Sequence, residues 1–249
     1  MENRIKIESL QRTITVEKPQ KNVLKVGPVS LDISGNKIIG IFGQKESGKR
    51  TFIQLLSGIK YSDSGVVIFN EKTWFKNELA YIPSEFPFNS KMKVKDIITT
   101  YQTLYWDSWD DDKWKYFLIR YNIDPTLKVL HLSLEMKQQL IVAVSLSHNA
   151  KILIIDEPKE GFEPFIRKEI YDDIIKCTYE YESITFISTD DTEVVNDVVD
   201  HILYFEQGSA IINASKFDFP EEANRILNTD NNKMNITEFV EEYNRRNQK

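Results

Sequence analysis

The stretch Gly43-Gln44-Lys45-Glu46-Ser47-Gly48-Lys49-Arg50-Thr51 constrains this chain more than any other. Ile38-Ile39-Gly40-Ile41-Phe42 precedes it as a buried-strand pattern, and Phe52, Leu55, Leu56 and Ile59 follow at helical spacing. A G-x-x-x-x-G-K turn between a strand and a helix is the setting in which this motif binds phosphate. Backbone N–H groups of the turn and of the helix start point at an anion, and Lys49 adds a full positive charge. The next position ordinarily carries a Ser or Thr hydroxyl that ligates Mg²⁺. Here it is Arg50. The plainer alternative is a glycine-containing turn with no ligand.

The rest of the chain repeats the alternation. Leu79-Ala80-Tyr81-Ile82, Lys151–Ile155 and Ser183–Ile187 read as short apolar strands, and the periodic segments between them read as helices. This predicts an α/β protein with a mostly parallel sheet and its ligand at the carboxyl ends of the strands. Residues 1–36 are β-rich and contain no aromatic residue, the first being Phe42. Residues 86–131 depart from the pattern, with helical periodicity near 93–105 and 110–121 and three of the four tryptophans. They suggest an inserted helical lobe. Ser133 is a candidate N-cap for a helix over 134–148, and Glu163–Tyr179 is helical in pattern. His201–Phe205 and Ser209–Ile212 form a hairpin around Gln207-Gly208, and the tail carries a Pro220-led helix and another after Thr237.

Composition bounds the partners. The net charge of −6 over 249 residues gives no footprint for nucleic acid, and the tryptophan-rich segment lacks the basic interleaving that base stacking requires. The lone Cys177 excludes an internal disulfide framework and fits a reducing compartment, where it reads as a small apolar filler on a helix. No apolar run reaches membrane-span length, so any service to a membrane is expected to be that of a soluble subunit.

The order and spacing of these pieces resemble the ATP-binding cassette of ABC transporters over about residues 1–212. They are a P-loop, a helical insert, a Leu132-Ser133 helix start and an Ile-Ile-Asp-Glu-Pro strand end. The resemblance implies a P-loop NTPase (RecA-like) fold in one domain over 1–249. Its sheet would be mostly parallel, with an N-terminal antiparallel β lobe, a helical lobe near 86–135 and a C-terminal extension over 213–249. It is nearest in pattern to ATPase subunits of bacterial peptide or antibiotic exporters. Carried over by position, Gly43–Thr51 is the Walker A loop, with Lys49 on the β/γ-phosphates. Asp156 is the Walker B carboxylate that holds Mg²⁺ through water, and Glu157 is the general base. Leu132, Ser133, Leu134, Glu135 and Met136 occupy the signature, Ser84 the Q-loop and Asp190 the switch.

Several of these positions leave the family pattern. No aromatic among residues 1–41 is available to stack on adenine. Arg50 replaces the metal-binding hydroxyl and opposes Mg²⁺, Ser84 replaces a Gln, and Leu134 and Glu135 replace small residues. Glu163 replaces the D-loop Asp, and Asp190 puts a carboxylate where a His should donate. The resemblance therefore implies a degenerate ATP-binding subunit of a membrane transporter, weak in hydrolysis. It would lie on the inner face of the cell membrane, docked to a membrane-spanning subunit and paired with a second cassette as homo- or heterodimer. Arg50 is expected to reach Asp156 or Glu157 in place of the metal. A slow but active ATPase and a non-transport binding module on the same fold stand as alternatives.

Overall fold

The computed structural model describes residues 2–16, 22–73, 75–156, 164–189, 192, 196 and 198–247. The chain divides into two compact units, Met1–Trp74 with Ile184–Lys249, and Phe75–Ser183.

The first unit holds two sheets. Strands β1 (Arg4–Val16), β2 (Asn22–Ser34) and β4 (Ser64–Phe69) form an antiparallel sheet in the order β2-β1-β4. Ile5 and Ile7 of β1 alternate inward and are fully buried, opposite Ile33 and Leu31 of β2. This is the expected N-terminal antiparallel lobe.

The second sheet of this unit is built on β3 (Ile38–Gly43). Ile38, Ile39, Ile41 and Phe42 are all buried, so the strand has no polar face, as a strand covered on both sides requires. It pairs in parallel with β7 (Ile184–Ser188) and with β8 (His201–Glu206), and β8 turns antiparallel into β9 (Ser209–Ser215). Gln207 and Gly208 of that turn both have positive φ (47° and 86°), the backbone of a two-residue hairpin matched to strand twist.

Helix α1 (Lys49–Leu56) buries Phe52, Ile53, Leu55 and Leu56. Ile59 was expected on that stripe, but the helix stops before it. Ser57 N–H closes on Ile53 O, Gly58 has φ 70°, and Ile59 lies beyond the end at the surface. Helices α6 (Phe219–Leu227) and α7 (Ile236–Asn247) close this unit, with Phe219, Leu227, Ile236 and Phe239 buried.

In the second unit β5 (Leu79–Ile82) pairs in parallel with β6 (Ile152–Ile155). Residues 86–131 form helices α2 (Val94–Leu104) and α3 (Asp111–Arg120), as the periodicity predicts. The acidic run serves α3 directly, since the Asp110 carboxylate accepts from Lys113 N–H at 2.8 Å and Asp111 and Asp112 fill the first turn. Of the tryptophans here Trp114 is core, with Phe117 and Tyr121, while Trp106 is 80% exposed.

Ser133 caps α4 (Leu134–Leu146), its hydroxyl accepting from Met136 N–H at 3.1 Å. The helix ends two residues earlier than its pattern suggests. Ser147 turns its hydroxyl back on Ala143 O at 2.6 Å, and His148 forms an isolated bridge with Trp109. Helix α5 (Pro164–Glu180) buries Ile170, Ile174 and Cys177 on one stripe, so Cys177 is a core thiol. Burial pushes that thiol up to about 12, which keeps it protonated. Between α3 and α5, the Asp173 carboxylate accepts from Arg120 Nε and from Tyr121 Oη, each at 2.6 Å. No helix among the described residues is long and apolar enough to cross a membrane.

Candidate functional site

The P-loop lies between β3 and α1 and is shaped by backbone that side chains would obstruct. Gly43 has φ 141°, and a Cβ there would sit 2.2 Å from Phe205 O. Ser47 N–H bonds Gln44 O at 3.2 Å, tightening the turn. Gly48 is the N-cap of α1 and offers no side-chain oxygen to the first N–H groups of the helix.

Lys49 is 6% exposed, and its ammonium folds back into the loop onto Gly43 O and Gln44 O. A cation held this deep sits where an anion in the loop would meet it. Ser47 is buried with no hydrogen-bond partner for its hydroxyl among the described residues, and that group points at the space the Gly43 hydrogen leaves. Gln44, Lys45, Glu46 and Arg50 are exposed, and Thr51 is half-buried.

Beside the loop is a cavity of about 910 Å³. Gln44 and Ser47 form one side, Val23 and Lys25 of β2 another, and Tyr204 and Glu206 of β8 the back. That volume suits a drug-sized or nucleotide-sized ligand. The β2 wall carries no ring, and Tyr204 and Phe205 are packed into the core.

In the second unit Asp156 closes β6. It is 2% exposed, and its N–H bonds Ile82 O at 2.9 Å. Its Oδ2 accepts from Tyr81 Oη at 3.1 Å and from Ser84 Oγ at 3.3 Å. Ser84 was singled out from the sequence, and the structure brings it to the carboxylate as a donor. Tyr81 was not. Its one sequence signal is a phenol placed three residues before Ser84, on the strand that pairs with β6. In the signature Leu132 is buried, Ser133 is exposed as the cap, Leu134 is 53% exposed, and Glu135 and Met136 are half-buried at the start of α4. Glu157, Glu163 and Asp190 lie outside the described residues.

Comparison with known proteins agrees with this arrangement. The sequence profile described as ABC transporter matches residues 26–160. The ABC transporter ATP-binding protein YtrB of Bacillus subtilis (strain 168) is 26% identical over 186 residues. That match takes in 73% of this chain and 63% of YtrB, so the chain spans less than two thirds of that relative's length. The lantibiotic transport ATP-binding protein SrtF of Streptococcus pyogenes is 28% identical over 207 residues, 80% of this chain and 88% of SrtF.

Among solved structures, an ATP-binding subunit of an ABC transporter superposes with a TM-score of 0.77 at 15% identity, covering 96% of this chain and 99% of that one. The dimeric cassette MJ0796 bound to ADP and phosphate superposes with a TM-score of 0.73 at 16% identity, covering 85% and 98%. At such identities these structures speak to the fold, a P-loop NTPase sheet with an antiparallel β lobe. The profile match spans more than half of the residues and contains both the P-loop and the Asp156 strand. The chain therefore belongs to the ABC transporter family.

Proposed function

We propose that this chain is the ATP-binding subunit of a membrane ABC transporter of the exporter type, built as one cassette over residues 1–249. The observation that carries the reading is the P-loop with Lys49 buried in its turn beside a nucleotide-sized cavity. The names of the relatives support it. SrtF is a lantibiotic transport protein, YtrB an ABC transporter ATP-binding protein, and MJ0796 is a dimer with ADP and phosphate. By the same analogy, a membrane-spanning subunit docks on the helical lobe and a second cassette completes the site.

In this reading the P-loop amides and Lys49 bind and orient the phosphates, and Glu157 takes the proton of the attacking water. The donor set does not suit Mg²⁺. Arg50 brings a guanidinium, which donates hydrogen bonds and ligates no metal, where a hydroxyl would be needed. Asp156, the carboxylate that the resemblance assigns to the metal, accepts from two hydroxyls at its Oδ2. No step is routed through a metal. Arg50 instead supplies a fixed positive charge at the first turn of α1, beside the phosphates.

Affinity and turnover are both expected to be low. A missing adenine stack removes about 1–3 kcal/mol, roughly tenfold or more in affinity. Asp190 places a carboxylate where transition-state charge calls for a donor. The competent partner cassette then supplies most of the hydrolysis. Steady-state ATPase assays with a Glu157→Gln control test this. Ordinary turnover by the isolated wild type, abolished in that control, replaces the weak-hydrolysis reading with an active enzyme. Failure to co-purify with any membrane subunit removes the transporter reading.

A further inference from the structure

Helix α7 lies behind the nucleotide cavity and touches its walls at three places. Gln44 of the P-loop donates from Nε2 to Asn244 Oδ1 at 2.7 Å. The phenol of Tyr243 donates to the carboxylate of Glu206 at the end of β8. The ring of Tyr204 meets Phe239 edge-on at 5.1 Å and Tyr243 at 5.7 Å. Gln44, Glu206 and Tyr204 all line the 910 Å³ cavity.

The other end of the helix is fixed independently. Phe239 is fully buried against Phe219 of α6, and Thr237 bonds Thr192 at 2.8 Å. The helix is thus anchored in the core at residues 236–239 and presents 243–244 to the pocket wall. Tyr243 is held as a donor, since burial together with the adjacent Glu206 carboxylate pushes its phenol up to about 12.

The Gln44 contact matters most. The backbone carbonyl of Gln44 accepts from both Lys49 Nζ and Ser47 N–H, so this residue sets the path of the loop. A side-chain bond that fixes Gln44 fixes the amides that follow it, and pre-organised donors bind an anion without an ordering cost at the moment of binding.

We infer that Asn244 and Tyr243 are positioning residues of the nucleotide site. Helix α7 holds the P-loop and the Glu206 wall in their binding arrangement, and nucleotide in turn secures α7. The inference rests on the nucleotide reading above and gives the C-terminal segment a part in it. Because linkage is reciprocal, a helix that tightens nucleotide binding is itself tightened by nucleotide, which a helix that merely closes the fold is not.

The test uses the full chain, with Asn244→Ala and Tyr243→Phe singly and together, and ATP as the probe. Each single change is expected to weaken ATP binding roughly three- to tenfold, from the loss of one hydrogen bond. The double change weakens binding more than either single one, and thermal midpoints fall only by the few degrees that one or two lost hydrogen bonds cost. In hydrogen exchange, ATP slows the amides of residues 236–247 in the wild type and leaves them unchanged in the double variant. Wild-type ATP affinity in both single variants, or exchange in 236–247 that ignores ATP in the wild type, overturns the inference and leaves the nucleotide reading standing. A wild type that takes up no ATP at millimolar concentration overturns the nucleotide reading and the inference with it.

Discussion

The phenol of Tyr81 donates to Asp156 Oδ2 across 3.1 Å, on a carboxylate that is almost wholly shielded from water. A buried carboxylate needs donors, and β5 supplies one from the strand and a second from Ser84 just past it. Tyr81→Phe keeps the ring and removes one donor to a charged acceptor. It should destabilise the protein by about 1.5–3 kcal/mol in urea unfolding at neutral pH. Ser84→Ala should have less effect, since 3.3 Å is a long bond for a hydroxyl. Equal stability of Tyr81→Phe and wild type would show that Asp156 does not depend on this donor.

Arg50 stands at the second residue of α1, exposed, with a guanidinium that donates hydrogen bonds and ligates no metal. Nucleotide binding by the wild type is expected to change by less than about twofold when Mg²⁺ is chelated, since charge supplied by a side chain survives chelation. Arg50→Ser should make binding depend on Mg²⁺ without restoring ordinary turnover, because Ser84 and Asp190 are unchanged. Titration calorimetry with and without EDTA reads both. Wild-type binding that collapses on chelation contradicts the proposal.

His148 should govern the acid limb of stability. It stacks on Tyr105 with ring centroids 3.8 Å apart, is fully buried, and has no hydrogen-bond partner for either ring nitrogen among the described residues. Burial lowers its pKa from about 6.5 to about 4. The unfolded chain therefore takes up a proton between those values and the folded protein does not. The stability due to neutral His148 is present above pH 6.5, declines as pH falls toward about 4, and is constant below that. The span is roughly 3 kcal/mol. His148→Phe should flatten the pH 4–6.5 region of a denaturation series. An unchanged slope in that variant would assign the acid limb to other groups.

Asp173 joins α5 to the end of α3 through Arg120 and Tyr121. Asp173→Ala leaves a guanidinium and a phenol without their buried acceptor and should cost about 3 kcal/mol. Asp173→Asn keeps one acceptor oxygen and should lose less. Chemical denaturation of the two variants checks the order. Equal losses would show that charge, and not hydrogen bonding, holds this contact.

The parts of the fold that were legible in the sequence are those where local pattern and tertiary burial agree. The run Ile38–Phe42 is apolar throughout because β3 is covered on both faces, and Ser133 reads as a cap because a hydroxyl oxygen is what an N-terminal amide needs. Ile59 was misplaced because periodicity does not register where the chain turns out, and Gly58 turns it out. Tyr81 was invisible as a site residue because a tyrosine on an apolar strand looks like core. Its role comes from which strand lies next to β5, and that is a property of the sheet. The contact between Asn244 and Gln44 spans 200 residues of sequence and carries no motif.

The turn joining β8 to β9 is usually the sort of place where proteins gain or lose residues freely. Here it is locked on two sides. Gly208 N–H bonds Ser47 O in the P-loop, Gly27 N–H of β2 bonds Gly208 O, and a Cβ at Gly208 would lie 1.9 Å from Lys25 O. A residue inserted in this hairpin has nowhere to bulge except into the β sheet or the phosphate turn. Length variation among sequences of this kind should accordingly be absent here and accumulate elsewhere. For anyone choosing where to splice in a tag or a reporter, this surface hairpin is the one to leave alone.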